Sequence, residues 1–136
     1  MEQQANPNIL LVGVGGIGGM TIELLAPALE RIQRTCTITL MDGDIVEATN
    51  LGHQRFTKSD IGKPKTEVLA RRFTDFEYVT CHSVPENLRT AEQLEGYDFV
   101  LIGVDRPLPR RLVHASEIPW IDMRSTGDGH VYFTSE

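Results

Sequence analysis

A short apolar run that ends in a cluster of glycines constrains this chain more than any other feature of its sequence. The run 8–12 is followed by Gly-Val-Gly-Gly-Ile-Gly-Gly, which fits the pattern G-x-G-x-x-G at the junction of a strand and a helix. Glycine permits the tight turn and lets the backbone approach a phosphate, and the free N–H groups of the helix start attract an anion. The pattern therefore predicts a nucleotide site, without choosing among NAD, FAD and ATP, at Gly13, Gly15, Gly16 and Gly18.

Strand-like and helix-like segments alternate along the rest of the chain. Apolar or β-branched runs predict strands, and apolar residues at helical spacing predict the helices between them. Pro27 lies inside the first helix and is expected to kink or interrupt it. The alternation predicts one α/β domain over residues 1–136, with a Rossmann-like, doubly wound, mostly parallel sheet in a three-layer α/β/α arrangement. The predicted strands are 8–13, 35–41, 78–83, 98–104, 119–123 and 130–134, and the predicted helices are 15–33, 62–73 and 106–116.

The composition argues against several partners and settings. The net charge is −6, which gives no support to a nucleic-acid partner, because such partners favour a basic face. No stretch approaches the ~20 apolar residues of a membrane span, and the polar N-terminus has no signal-peptide pattern. Cys36 and Cys81 lack the C-x-x-C spacing of zinc and redox sites. We therefore expect two buried free thiols and a reducing, cytoplasmic setting.

Two acidic residues follow the second predicted strand. Asp42 comes directly after that strand, and Asp44 lies two residues later. A carboxylate at this place accepts hydrogen bonds from ribose hydroxyls in dinucleotide sites, and Asp42 is the better placed of the two. Asp44 is explained equally well as a loop carboxylate that makes turn contacts. Up to this point a dehydrogenase and an ATP-dependent enzyme account for the sequence equally well.

The next segment distinguishes between these two classes. Residues 42–56 read Asp-Gly-Asp-Ile-Val-Glu-Ala-Thr-Asn-Leu-Gly-His-Gln-Arg-Phe, and residues 60–65 read Asp-Ile-Gly-Lys-Pro-Lys. Together they resemble the pattern D-x-D-x-V…N-L-x-R-Q-F…D-I-G-x-P-K of the ThiF/MoeB/HesA family, in the ubiquitin-activating E1-like superfamily. With the glycine turn before this segment and Asp105 after it, the resemblance spans nearly the whole chain.

The resemblance implies an ATP-dependent adenylation. In this family the C-terminal carboxylate of a ubiquitin-like or sulfur-carrier protein with a Gly-Gly tail attacks ATP, which forms an acyl-adenylate and releases pyrophosphate. ATP and Mg²⁺ are the implied cofactors, and a homodimer is the implied assembly. The resemblance gives ribose binding to Asp42, phosphate contacts to Asn50 and Gln54, triphosphate binding to Lys65 and magnesium coordination to Asp105, with Asn50, Arg55, Lys65 and Asp105 as the catalytic set.

The chain departs from the family pattern within the same segment. His53 stands where the family usually has an arginine, whose phosphate-clamping fork an imidazole cannot copy. We keep His53 and Asp44 among the nucleotide-binding candidates, and we expect Arg55 to supply the missing charge. If Arg55→Ala leaves ATP binding and turnover intact, that hypothesis fails.

Further departures follow Asp105. Arg106 stands where the family commonly has asparagine. Arg110 and Arg111 follow on a predicted helix, and either one of them faces the nucleotide or both lie on the surface. Family members usually continue beyond the point at which this sequence ends, often with a catalytic cysteine whose position neither cysteine here matches. We therefore expect acyl-adenylate formation without a catalytic cysteine of the chain's own, in a domain that lacks the usual C-terminal half.

Two alternative functions stay open. One is a non-catalytic ATP-binding or scaffold subunit of an E1-like system, which His53 and the short chain favour. The other is a fragment of an NAD-binding oxidoreductase, which would share the glycine turn and Asp42. That second alternative leaves the residues 50–65 without an explanation.

Overall fold

The computed structural model describes residues 6–52, 55–126 and 129–135. The strands in this part of the chain are β1 (Asn8–Val12), β2 (Cys36–Met41), β3 (Val79–Val84), β4 (Phe99–Ile102), β5 (Trp120–Thr126) and β6 (Gly129–Thr134). The helices are α1 (Gly16–Arg31), α2 (Lys65–Arg71) and α3 (Pro107–Ala115), and short 3₁₀ turns lie at Ala48–Asn50, Lys58–Asp60 and Ala91–Leu94. Within the described residues, none of the helices is long and apolar enough to cross a bilayer.

The strands form one sheet in the order β3-β2-β1-β4-β5-β6. β1 pairs with β2 on one side and with β4 on the other, so the strand order reverses next to β1. The first five strands run parallel, and β6 is antiparallel to β5. The expected Rossmann-like, mostly parallel sheet is confirmed. Such sheets bind ligands at the carboxyl ends of the strands where the order reverses, which here are the ends of β1, β2 and β4.

Helices cover both faces of the sheet, so the expected three layers are also confirmed. On one face α1 and α2 pack against the inward side chains of β1 and β2. On the other face α3 and the 91–94 turn pack against β1 and β4. The first face buries Ile22, Ala26, Ile38, Leu40, Val68 and Leu69, and the second buries Leu10, Val12, Leu94, Val100, Ile102 and Val113.

Of the two expectations for Pro27, the interruption of the first helix is wrong, and the kink stays a prediction. α1 continues for four residues beyond Pro27, to Arg31. A proline at this place removes the N–H that would bond to the carbonyl of Glu23. The face of α1 that contains Ile22 and Ala26 is fully buried, and this tertiary packing offsets the lost hydrogen bond.

The connection between β3 and β4 contains a 3₁₀ turn instead of a helix. It must pass from one edge of the sheet to the centre, because β2 and β1 lie between β3 and β4. On the way the side chain of Asn87 accepts a hydrogen bond from the N–H of Gly43 at 2.9 Å, and Leu88 is buried against the sheet. This crossover therefore forms a wall beside the carboxyl ends of the central strands.

Candidate functional site

A pocket of about 450 Å³ opens where the strand order reverses, and we call it the switch-point pocket. Its floor is formed by the ends of β1 and β2, and its walls come from the crossover and from the start of α3. The lining combines an apolar surface suited to a flat ring with charged groups at the rim. It consists of Val12, Gly13, Met41, Asp42, Asp44, Asn87, Leu88, Arg89, Val104, Arg106, Pro107, Leu108, Pro109 and Arg111.

The glycine turn brings β1 and α1 into close backbone contact. Gly13 has a φ of 89°, and a Cβ atom there would lie 3.1 Å from the Cβ of Val104. A Cβ atom on Gly18 would lie 1.8 Å from the carbonyl oxygen of Gly13, so only glycine fits at that position. Around Gly16, by contrast, no described atom outside its chain neighbours and its own helix backbone lies within 4 Å of such a Cβ. The backbone at the start of α1 is therefore open on the side of Gly16.

The start of α1 also has no capping side chain. Gly15 is its N-cap and offers no side-chain hydrogen bond, and the first turn contains no acidic residue. The backbone N–H groups of that turn are the natural partners of an anion. A smaller pocket of about 220 Å³ lies beside them, lined by Val14, Gly15, Gly16, Gly19, Met20, Arg55, Phe56 and Leu69. We call it the helix-start pocket.

Asp42 is held in a fixed orientation at the edge of the switch-point pocket. Its Oδ2 accepts a hydrogen bond from the N–H of Val14 at 2.9 Å, and its Oδ1 accepts one from the N–H of Asp44 at 2.8 Å. The carboxylate thus joins the glycine turn to the end of β2. Each oxygen of a carboxylate has further acceptor capacity, so this arrangement can also accept hydrogen bonds from two vicinal hydroxyls.

Lys65 forms an ion pair with Asp44, which lines the same pocket, but does not line that pocket itself. It is the first residue of α2 and only 5% exposed, although lysine is rarely buried without a partner. Its Nζ lies 3.9 Å from Oδ2 of Asp44, and the Nη2 of Arg106 lies 3.6 Å from Oδ1 of the same carboxylate. Asp44 therefore balances two cations in the structure, and an entering phosphate would compete with it for them.

Asn50 caps its own turn. Its Oδ1 accepts a hydrogen bond from the N–H of Glu47 at 2.7 Å, as part of a reciprocal capping box at the 48–50 turn. The amide nitrogen is the group that could still donate to a phosphate. The structure thus gives Asn50 a local structural role, while its predicted phosphate contact stays a prediction.

Arg55 lies beside the glycine turn and lines the helix-start pocket. Its Nη1 lies 2.7 Å from Oε2 of Glu23 on α1, and its side chain is 63% exposed. Arg72 pairs with the other oxygen of Glu23 and also donates to the carbonyl of Arg55. Glu23 therefore neutralises part of the charge that we expected Arg55 to offer to phosphate. The predicted contacts of His53 and Gln54 lie outside the described residues.

Asp105 follows β4 and lines a third pocket, of about 310 Å³, together with Gly16. Its side chain is 93% exposed, and its Oδ1 lies 3.3 Å from the Nη2 of Arg110. An exposed carboxylate in one pocket with the open side of the glycine turn fits the way proteins hold Mg²⁺, which keeps several waters and takes one or two carboxylates. Within the described residues, no cluster of three or more potential metal ligands occurs, so a cation here would rely on phosphate oxygens and water.

Both cysteines have the character of structural thiols. Cys36 is buried in β2, and burial raises the pKa of its thiol. Cys81 on β3 is half-buried, so the expectation of a buried thiol is wrong there, but burial still raises its pKa to about 12, with a smaller contribution from Cys36. A thiol with a raised pKa forms almost no thiolate near neutral pH. Both cysteines are therefore poor nucleophiles.

The structure brings some of the predicted residues together and separates others. Gly13, Asp42 and Asp44 meet in the switch-point pocket, Gly15, Gly16 and Arg55 in the helix-start pocket, and Gly16 and Asp105 in the third. Asn50 is turned to its own backbone instead. Sequence reasoning missed the pocket residues Asn87 and Arg89, for which the sequence holds no motif, and it left the role of Arg106 undecided.

The comparison of sequences finds a family. The model of the ThiF family matches residues 1–134. The NEDD8-activating enzyme E1 catalytic subunit of Caenorhabditis elegans is 30% identical over 118 residues, which are 83% of this chain and 26% of that protein. The adenylyltransferase and sulfurtransferase UBA4 of Yarrowia lipolytica is 33% identical over 116 residues, which are 81% of this chain and 28% of that protein.

Solved structures give the same relationship. MccB of E. coli superposes with a TM-score of 0.74 at 25% identity, over 94% of this chain and 38% of the MccB chain. The E. coli tRNA N6-threonylcarbamoyladenosine dehydratase, TcdA, in complex with ATP superposes with a TM-score of 0.70 at 28% identity, over 84% of this chain and 49% of that one. The chain thus spans less than half the length of each of these relatives. Because the family model covers nearly every residue, this chain belongs to the ThiF family.

Proposed function

We propose that this chain binds ATP with Mg²⁺ and adenylates the C-terminal carboxylate of a ubiquitin-like or sulfur-carrier protein that ends in Gly-Gly. One observation carries the proposal most strongly. Asp105 lines a pocket together with Gly16, where the glycine turn is open, and the buried Lys65 lies beside Asp44, which lines the switch-point pocket. The proposed reaction class is the one for which the adenylyltransferase UBA4 is named, and the proposed nucleotide is the one crystallised with TcdA.

In this proposal the switch-point pocket holds the nucleoside. Its apolar surface is suited to the base, and Asp42, fixed by two backbone N–H groups, accepts hydrogen bonds from the ribose hydroxyls. Asn87 keeps Gly43 in place and so supports the loop that carries Asp42. The pocket volume of about 450 Å³ lies within the range of pockets that hold small ligands.

The phosphates would then lie toward the start of α1. A carboxylate oxygen of the carrier tail attacks the α-phosphorus, the bond from that phosphorus to the bridging oxygen breaks, and pyrophosphate leaves with the electron pair. Negative charge on the phosphoryl oxygens rises during this step, and cations and backbone N–H groups held in place stabilise it. Lys65 and the first turn of α1 are the groups that we assign to this stabilisation.

We assign the magnesium site to Asp105. When bound, Mg²⁺ supplies charge that neutralises phosphate oxygens and favours the departure of pyrophosphate. Asp105 offers one exposed carboxylate, which is enough for an ion that also takes phosphate oxygens and water. Arg55, released from Glu23, would add a cation at the helix-start pocket.

The partner, the assembly and the location belong to the same proposal. We expect the Gly-Gly tail to approach from the open side of the helix start, and we expect the chain to act in the cytoplasm as a homodimer. The edge strand β6 exposes Val131, Tyr132 and Phe133, and an exposed apolar edge favours association. Light scattering at micromolar concentration should give the mass of a dimer, and a clean monomer would contradict this part of the proposal.

ATP–pyrophosphate exchange tests the reaction itself. The chain is mixed with ATP, Mg²⁺, labelled pyrophosphate and a small β-grasp protein that ends in Gly-Gly, and label in ATP is measured. We expect exchange that requires the protein with its tail and that disappears when its last glycine is removed. Tight ATP binding without exchange, across a panel of such proteins, would favour the non-catalytic ATP-binding role instead.

A further inference from the structure

A fully buried carboxylate on β5 is the centre of a charged cluster that no part of the proposed reaction uses. Asp122 is 0% exposed, and its Oδ2 lies 2.9 Å from Nε2 of His114, 3.1 Å from Nη2 of Arg124 and 3.3 Å from Nε of Arg110. His114 is further fixed by stacking on Trp120, with ring centroids 4.0 Å apart. Three cationic or proton-donating groups thus converge on one buried anion.

The buried anion is held in its charged form. Burial raises the pKa of Asp122, but hydrogen bonds from Arg124 and His114 and the charge of Arg110 lower it by more, so the pKa lies below its ordinary value. A buried charge without partners is very costly, so these contacts fix the positions of the side chains that make them. Arg110 is one of those side chains, and only 17% of it is exposed.

Arg110 joins this buried cluster to the candidate magnesium ligand. Its Nε lies 3.3 Å from Oδ2 of Asp122 as an ion pair without a hydrogen bond among the described residues, while its Nη2 lies 3.3 Å from Oδ1 of Asp105. Asp105 itself is 93% exposed, and among the described residues Arg110 is the hydrogen-bonding partner of its carboxylate. A guanidinium can contact two carboxylates from one rigid plane, which the point charge of a lysine cannot do.

We propose that Arg110 is a positioning residue for Asp105, anchored by the buried Asp122 so that the Asp105 carboxylate is oriented before the metal and nucleotide arrive. The inference rests on the proposed function, because it gives Asp105 the magnesium. Restraining an exposed ligand in advance reduces the entropy that is lost when the ligand is fixed on binding. Groups that orient metal ligands typically change metal affinity by about 10- to 100-fold when they are replaced.

The test compares ATP affinity with and without magnesium. Isothermal titration calorimetry gives the Kd for ATP in Mg²⁺ and in EDTA, and the ratio of the two values measures the contribution of the metal. For Arg110→Lys we expect this ratio to fall by about 10-fold, with the Kd in EDTA unchanged within about 2-fold. In an Asp105→Asn background the same substitution should have no further effect on the ratio, because a positioning residue acts only through its target.

Arg124→Lys is the matched control. Arg124 contacts the same buried Asp122 and, within the described residues, forms no hydrogen bond or close ion pair with Asp105, on which only its charge acts at longer range. Because lysine keeps that charge, we expect Arg124→Lys to leave the ratio within about 2-fold. Thermal melting of every variant shows whether it is folded. Arg110→Lys is used in place of a change at Asp122, because removing the buried carboxylate would leave its three partners without their anion and would destabilise the fold.

Each other outcome has a defined meaning. If Arg110→Lys weakens ATP binding equally in EDTA, Arg110 contacts the nucleotide directly and the positioning role is overturned. If the loss persists in the Asp105→Asn background, or if Arg124→Lys causes an equal loss, the cluster is only structural. If the unchanged chain binds ATP with no magnesium dependence, the assignment of magnesium to Asp105 fails first, and this inference fails with it.

Discussion

Two lysines that lie two positions apart have opposite environments in this structure. Lys63 is exposed, whereas Lys65 at the start of α2 is 5% exposed and directs its ammonium group toward Asp44. The sequence singled out Lys65 only through its resemblance to a family pattern, because composition and spacing treat both residues alike. Burial is a tertiary property, and here it separates a solvated charge from a candidate phosphate ligand.

Replacing Lys65 should therefore weaken ATP binding. Lys65→Met keeps the volume of the aliphatic stem but removes the charge, and a hydrogen bond to a charged group contributes about 1.5–3 kcal/mol. We expect the Kd for ATP with Mg²⁺ to rise by about 10- to 100-fold, measured by calorimetry. Lys63→Met is the matched control and should leave the Kd unchanged; equal effects of the two variants would remove Lys65 from the site.

The two thiols allow a second test at the scale of single residues. The pKa of Cys81 is raised to about 12 and that of buried Cys36 is also raised, and it is the thiolate that reacts with disulfide reagents. We expect both cysteines to react slowly with Ellman's reagent in the folded chain at pH 8, and to react promptly in denaturant. Rapid reaction of either thiol in the folded chain would show that a nucleophilic cysteine is available after all.

At the scale of elements, two glycines of the same turn have different roles, one in helix packing and one in the candidate binding site. Gly18 has no room for a side chain, because α1 meets the carbonyl of Gly13 there, whereas Gly16 faces open space. The sequence pattern marked both glycines as parts of one nucleotide motif. The structure shows that they differ, because one allows the helix to approach the strand and the other leaves backbone accessible.

Alanine at these two positions should have opposite effects. Gly18→Ala places a Cβ against backbone, and overpacking of this kind costs at least about 1–3 kcal/mol, so we expect the melting temperature to fall by several degrees. Gly16→Ala should leave melting nearly unchanged but weaken ATP binding by about 10-fold or more, because the methyl group occupies the approach of a phosphate. Normal ATP affinity in Gly16→Ala would show that phosphate does not approach there.

The positions of the elements themselves could largely be predicted. Apolar runs that end in glycine or aspartate marked β1, β2 and β4, since buried parallel strands have a distinctive composition. The crossover between β3 and β4 could not be predicted in the same way. Asn87 accepts a hydrogen bond from Gly43, which lies 44 residues earlier in the chain. Sequence periodicity does not indicate contacts between such distant residues, so Asn87 and Arg89 were missed as pocket residues.

At the scale of the whole molecule, the order of the strands determines where the site lies. β1 is central and pairs with both β2 and β4, so three strand ends that are distant in sequence deliver Gly13, Asp42 and Asp105 to one edge. The sequence predicted those strand ends, but the network of Asp122, Arg110 and Asp105 appears only when α3 and β5 are packed together. Ion pairs of this kind depend on the distances between elements, which local patterns do not encode.

The nucleotide preference of the folded chain is the sharpest test of the proposed ATP site. Thermal unfolding is followed with ATP and Mg²⁺ and, separately, with NAD, each at the same concentration. A ligand present at about 100 times its Kd stabilises the folded state by about 2.7 kcal/mol, so we predict that ATP with Mg²⁺ raises the melting temperature by several degrees and that NAD does not. Stabilisation by NAD, with none by ATP and Mg²⁺, would show that the pocket is a dinucleotide site instead.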